Sequence, residues 1–187
     1  ITKNMRKVCN IAFLACCLLL GKINAQEYKW NTPPYAEDYA FITNDGAWCW
    51  FSDPRAIYVN DKMIGGFVDK EGSIWAFSYD PATQERHQYK LKDKFDYDDH
   101  ANPSVMALPD KRIVIFFSAH GGTKNSPIYY AISKNPADIS SWNELQQVDP
   151  DMPGKLGVCY SNPAMLSLEN NRTYLFFRGR NFKPTFI

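Results

Sequence analysis

His100-Ala-Asn-Pro-Ser-Val-Met-Ala-Leu-Pro-Asp-Lys-Arg-Ile-Val-Ile-Phe-Phe-Ser-Ala-His120 aligns without a gap on Tyr160-Ser-Asn-Pro-Ala-Met-Leu-Ser-Leu-Glu-Asn-Asn-Arg-Thr-Tyr-Leu-Phe-Phe-Arg-Gly-Arg180. The Asn-Pro steps, Leu108 and Leu168, Arg112 and Arg172, and the two Phe-Phe pairs coincide. A weaker third copy runs from Asp53-Pro54-Arg55-Ala56 through Asn60-Asp61-Lys62 to Gly66-Phe67. Each copy reads as strand, tight turn, strand. Pro109-Asp110-Lys111, Glu169-Asn170-Asn171 and Asn60-Asp61-Lys62 supply turn chemistry, and Val, Ile, Phe and Tyr fill the flanks. Ser73–Tyr79 and Pro127–Ser133 read as further, outer strands. Strand-rich units repeating at this period mark the blades of an all-β propeller. A single β-sandwich would account for the strands and not for the repeat.

Residues 45–187 hold about two to three such blades, and propellers close with four to eight. The expectation is a C-terminally truncated part of a longer propeller, inactive by itself. Residues 26–44 form a lead-in. Ahead of it, Met5-Arg6-Lys7, the apolar run Val8 to Gly21 and Ile23-Asn24-Ala25 read as a signal peptide cleaved after about Ala25, with Ile1 to Asn4 lying upstream of the start. The run is shorter than the ~20 residues of a spanning helix, so no transmembrane span is expected once the signal is removed. Cys16 or Cys17 as a lipidated residue is the weaker alternative, since Phe13-Leu14-Ala15-Cys16 is a poor lipobox. The expected location is secreted, periplasmic or at the cell surface. Cys49 and Cys159 remain in the mature chain and read as two buried thiols, although export permits a disulfide.

Lys plus Arg number 21 and Asp plus Glu 20, so no basic excess points to nucleic acid. No Cys/His spacing fits a zinc site. No cofactor is predicted, and Asp98-Asp99 leaves room for a structural divalent cation or for orienting His100.

The hairpin register of the repeat puts His100 opposite His120 and Tyr160 opposite Arg180. Side chains two apart share a face, so Asn102 lies with the histidines, and Asn162 and Arg178 lie with Tyr160. Corresponding ends of adjacent blades surround one mouth. Together these residues suit removal of a proton next to a uronate carboxylate. Arg178 or Arg180 can neutralise the carboxylate, a neutral His can act as base, and Tyr160 can protonate the leaving oxygen. A glycoside hydrolase would want two carboxylates across the bond. Alone, each residue has a plainer reading: exposed loop histidines, a common tyrosine, arginines paired with the next blade. Trp50 and Arg55 are further candidates for sugar contact, while Trp48, Trp75 and Trp142 read as blade-core aromatics.

Asp45-Gly-Ala-Trp-Cys-Trp-Phe-Ser-Asp-Pro-Arg-Ala56, Asp98-Asp-His-Ala-Asn-Pro103, Phe116-Phe-Ser-Ala-His120, Tyr160-Ser-Asn-Pro163 and Phe176-Phe-Arg-Gly179 resemble the BNR-repeat-containing propeller family. That family includes ulvan lyases and related rhamnose–glucuronate lyases. The resemblance covers nearly all of the mature chain. It implies seven blades in the full-length protein and a site of two histidines, a tyrosine and an arginine. Those fall at His100, His120, Tyr160 and either Arg178 or Arg180. The implied partner is an acidic polysaccharide or oligosaccharide. The alternative is a glycan-binding propeller without catalysis. The sialidase-type Asp box is absent, which disfavours a sialidase.

Overall fold

The computed structural model describes residues 41–47, 49–120, 127–149, 158–179 and 182–187. The segment expected to be a signal peptide, most of the expected lead-in, Trp48 and Arg180 lie outside the described residues. Alternating apolar residues and left-handed turn residues build three antiparallel sheets. The first runs in the order β1 (Ala56–Val59), β2 (Lys62–Val68), β3 (Ile74–Tyr79), β4 (Arg86–Lys92). The second runs β5 (Ser104–Ala107), β6 (Arg112–Phe117), β7 (Ile128–Pro136), β8 (Gln146–Val148). The third holds β9 (Cys159–Leu166), β10 (Arg172–Arg178) and β11 (Pro184–Phe186), with β10 in the middle. Each is a meander, the build of a propeller blade, so the all-β propeller reading holds. Among the described residues no helix is long and apolar enough to cross a membrane.

The turns follow from residue type. Asn60 and Asp61 have φ of 47° and 58°, and Asn170 and Asn171 have 56° and 59°. Asn and Asp tolerate this region; Asn60 and Asp61 alone join Val59 to Lys62 in the two-residue turn that matches strand twist, whereas Asn170 and Asn171 close a five-residue loop that begins with a 3-10 turn at Ser167–Glu169.

The core lies between blades. On β6, Ile113, Ile115 and Phe117 face the first blade and meet Ile64, Val68, Ile74 and Ala76. Val114 and Phe116, one step out of phase, join Met106, Ile128, Leu175 and Phe177 toward the third blade. Period-two alternation thus lets one strand bury both faces. Gly66 permits a close approach between the first two blades. A Cβ there would stand 2.5 Å from Cγ of Pro103 and 2.9 Å from the Trp75 carbonyl oxygen. The Asn-Pro step of the second repeat therefore seats against a bare backbone in the first blade.

The expected registers hold in one hairpin and change in the other. Ser104 pairs Phe116 and Val105 pairs Ile115, the pairing that carries His100 to His120. In the third blade Arg172 pairs Leu166 and Phe176 pairs Asn162, two positions off the register that would set Tyr160 opposite Arg180, and a further shift then brings Arg178 to Cys159. The shift coincides with Tyr160 itself, whose φ is 63°. Cys49 and Cys159 are both buried and unbridged.

Candidate functional site

Before β5 the chain makes a short 3-10 turn, Asp99–Ala101, instead of the extended strand expected through His100. Asp98 caps this turn by accepting from the His100 backbone N–H at 2.9 Å. The turn swings both carboxylates toward the same imidazole. Nδ1 of His100 lies 2.6 Å from Asp98 Oδ1 and 2.9 Å from Asp99 Oδ1. His120 follows the end of β6, where its backbone N–H donates to Asp96 at 2.7 Å. Its Nδ1 lies 2.8 Å from Asp98 Oδ2. The two imidazoles stack with centroids 4.0 Å apart and 17° between planes.

Tyr160 enters from the third blade. Its left-handed backbone conformation is uncommon for a bulky residue and clusters at functional positions. The Tyr160 hydroxyl lies 3.2 Å from Nε2 of His120. Burial, and then the neighbouring Cys159, push the phenol up to about 12, so it is protonated at neutral pH. Burial alone would raise the Asp98 carboxyl. Hydrogen bonds from the His100 amide and from both imidazoles outweigh that and hold it well below the usual carboxylate range.

The Arg178 guanidinium sits 5.0 Å from the Tyr160 ring centroid and 4.9 Å from that of Phe182, between two aromatic faces. Its Nε is buried without a hydrogen-bond partner, and among the described residues no carboxylate pairs with it. A cation held by rings and left without an anion is a ready receptor for one.

Of the sequence-derived candidates, His100, His120, Tyr160 and Arg178 come together. Trp50 is 62% exposed and stands edge-on to Phe51 at 5.6 Å, at the rim. Arg55 is ion-paired with Asp53 at 3.4 Å and bonds the Cys49 carbonyl. Asn102 is 5% exposed and donates to the Ala47 carbonyl. Asn162 is a clamp. Its Oδ1 accepts from the Asp53 backbone N–H at 2.8 Å, while its amide donates to the Phe51 and Tyr160 carbonyls.

Sequence reasoning missed Phe51 and Phe182 and gave Asp98 too small a part. Phe51 stacks on His100 at 5.8 Å and meets Tyr160 at 4.7 Å. Its place beside Trp50 in an aromatic run was the available signal. The Asp98, His100 and His120 donor atoms lie close enough together to hold a metal ion, as do those of Cys49, Asp99 and His100. A cavity of about 460 Å³, lined among others by His87, Tyr89 and Asp138, gathers no comparable set of groups.

A family model described as "BNR repeat-containing family member" matches residues 58–185. The chain belongs to this family. Among curated proteins, the BNR-repeat chain is 31% identical to "Ulvan Lyase-PL25" of Pseudoalteromonas sp. (strain PLSV) over 93 residues, 44% of this chain and 17% of that protein. It is 27% identical to "Ulvan lyase" of Alteromonas sp. (strain LOR) over 115 residues, 56% of this chain and 22% of that one. It therefore matches about a fifth of the length of these relatives. A solved structure described as a polysaccharide lyase, "PL25-Ulvanlyase bound to -[GlcA(1-4)Rha3S]-", superposes with a TM-score of 0.59 at 20% identity, covering 79% of this chain and 38% of that one. A second structure of "PL25-Ulvanlyase" matches with the same figures. At that identity the likeness establishes the propeller fold.

Proposed function

We propose that this BNR-repeat protein is an exported polysaccharide lyase that cleaves a glucuronate-containing acidic polysaccharide by β-elimination. The observation that carries the reading is the Arg178 guanidinium, held between Tyr160 and Phe182 without a carboxylate partner among the described residues, beside the Tyr160–His120 hydrogen bond. The names of the relatives point the same way, and one solved relative is bound to a glucuronate–rhamnose sulfate unit.

Arg178 neutralises the uronate carboxylate, which makes the adjacent C5 proton removable. His100, with Nδ1 engaged by Asp98, takes that proton on Nε2. The C5 electron pair forms the C4=C5 double bond as the C4–O bond breaks. The leaving oxygen takes the proton of the Tyr160 hydroxyl, which its high pKa keeps in place until then. His120 holds that hydroxyl in line. No water is consumed, and the new end is an unsaturated uronate that absorbs in the near ultraviolet.

The test is the full-length protein on a panel of uronate polysaccharides, read by absorbance and product mass. Tyr160→Phe should lower turnover by about 10²–10⁴-fold while sparing binding, because only the hydroxyl is lost. Products heavier by one water would mean a hydrolase. Binding without product from any substrate would mean a glycan-binding module.

A further inference from the structure

We propose that Asp98 is a positioning residue that locks His100 and His120 in one tautomer, with hydrogen on Nδ1 and the lone pair on Nε2. The catalytic consequence rests on the lyase reading above; the tautomer assignment does not.

The argument begins with what a carboxylate can do. Ionised, it accepts hydrogen bonds and donates none. Each Asp98 oxygen serves one ring: Oδ1 lies 2.6 Å from Nδ1 of His100, and Oδ2 lies 2.8 Å from Nδ1 of His120. Such lengths suit charge-assisted hydrogen bonds. Both Nδ1 atoms must then carry hydrogen. In a neutral imidazole that leaves Nε2 as the acceptor. The Tyr160 hydroxyl, 3.2 Å from Nε2 of His120, is accordingly the donor in that bond. The resting direction of every proton in the chain Asp98–His120–Tyr160 follows from one side chain.

The surroundings reinforce this choice. The His100 amide fixes Oδ1 of Asp98 through the cap of the 3-10 turn. Asp99 offers His100 Nδ1 a second acceptor, so its hydrogen has no competing place. Asp96 is spent on the His120 backbone N–H and leaves the ring to Asp98. The stacking of the two rings at 4.0 Å lets a single carboxylate span both.

An amide cannot replace this carboxylate. Asparagine offers one acceptor oxygen and one NH₂ donor. In Asp98→Asn one ring would face the NH₂, present a bare Nδ1 to it and move its hydrogen to Nε2. If that ring is His120, Nε2–H points at the Tyr160 hydroxyl and the resting bond reverses. If it is His100, the base loses the lone pair it needs. In the first case the bond that fixes the Tyr160 proton at rest is lost, and in the second the base is lost, with the shape of the site preserved.

The experiment reads the tautomers directly. Long-range ¹⁵N–¹H correlation on histidine-labelled protein should give Nδ1–H for both His100 and His120 in the wild type. In Asp98→Asn one of them should change to Nε2–H. On a uronate polysaccharide, Asp98→Asn should lower kcat on the order of 10²–10⁴-fold with KM within about threefold, and Asp98→Glu should recover part of it. Wild-type rings in the Nε2–H form, or unchanged tautomers in Asp98→Asn, would overturn the proposal. The wild-type spectrum decides it even if the variant does not fold. Absence of lyase activity in the wild type would instead overturn the functional reading and leave the tautomers to be judged by their spectrum.

Discussion

Tyr160 and Cys159 sit side by side at the start of β9, and both hold their protons more tightly than they would in an unfolded chain. Burial raises the Cys159 thiol from 9.0 to about 11. Burial and the neighbouring Cys159 raise the Tyr160 phenol from 10.0 to about 12. In both cases the unfolded state loses its proton first, so stability falls as pH rises. The loss begins near pH 9 and is complete above about pH 12. Urea midpoints measured from pH 8 to pH 11 should decline, and the decline should be shallower in Tyr160→Phe. An equal slope in that variant would mean the phenol does not titrate as described. The left-handed backbone of Tyr160 also marks where sequence reasoning ran out at this scale. Tyrosine carries no signal for φ above zero, as Asn and Gly do, so the register shift beside it was invisible; the expected partner of Tyr160 was already displaced by two positions, because the loop holding the Ser167–Glu169 turn closes on Leu166 and Arg172. The histidine pair was legible because it depends on a regular hairpin that keeps its register.

Between blades, the seat of Pro103 on Gly66 is the tightest local demand. Adding one methyl at Gly66 forces a rigid ring or the Trp75 carbonyl to move. Gly66→Ala should cost about 1–3 kcal/mol by denaturant unfolding. Pro103→Ala placed on top should return part of that loss, because the two sites share the contact. Full additivity of the two changes would show that the contact is not the cause. Strand alternation and the Asn and Asp turns were readable in the sequence, since each rests on residue type at fixed spacing. The 3-10 turn at Asp99–Ala101 was not. Three residues are too few to show a period, and the polar Asp98-Asp99 pair reads equally as the lead into a strand. That turn is what swings both carboxylates onto one imidazole, so the role of Asp98 went largely unseen.

At the level of the whole molecule, the third blade presents one face to the second and one to solvent. Leu175 and Phe177 are buried against the second blade, whereas Phe176 and Phe186 are 45% and 59% exposed and pack on each other at 5.6 Å, with Tyr174 alongside. Exposed apolar patches of this kind promote association. The 187-residue chain should therefore self-associate and bind an apolar dye. Phe176→Ser with Phe186→Ser should reduce both in light scattering and fluorescence. Unchanged association would place the sticky surface elsewhere. The blade architecture was readable because the repeat is a global signal. Which blades meet at the site was only partly so, since that depends on where loops cross the mouth.

Asn162 ties the Phe51–Asp53 loop of the first blade to β9 of the third through main-chain atoms only. Any side chain at 51, and any but proline at 53, leaves those bonds in place, while a change at 162 removes them all. The rim of the mouth can thus exchange its surface, and with it the sugars it would favour on the lyase reading, without losing its anchorage. A lineage descending from this protein could retune its appetite at the loop while position 162 stays frozen.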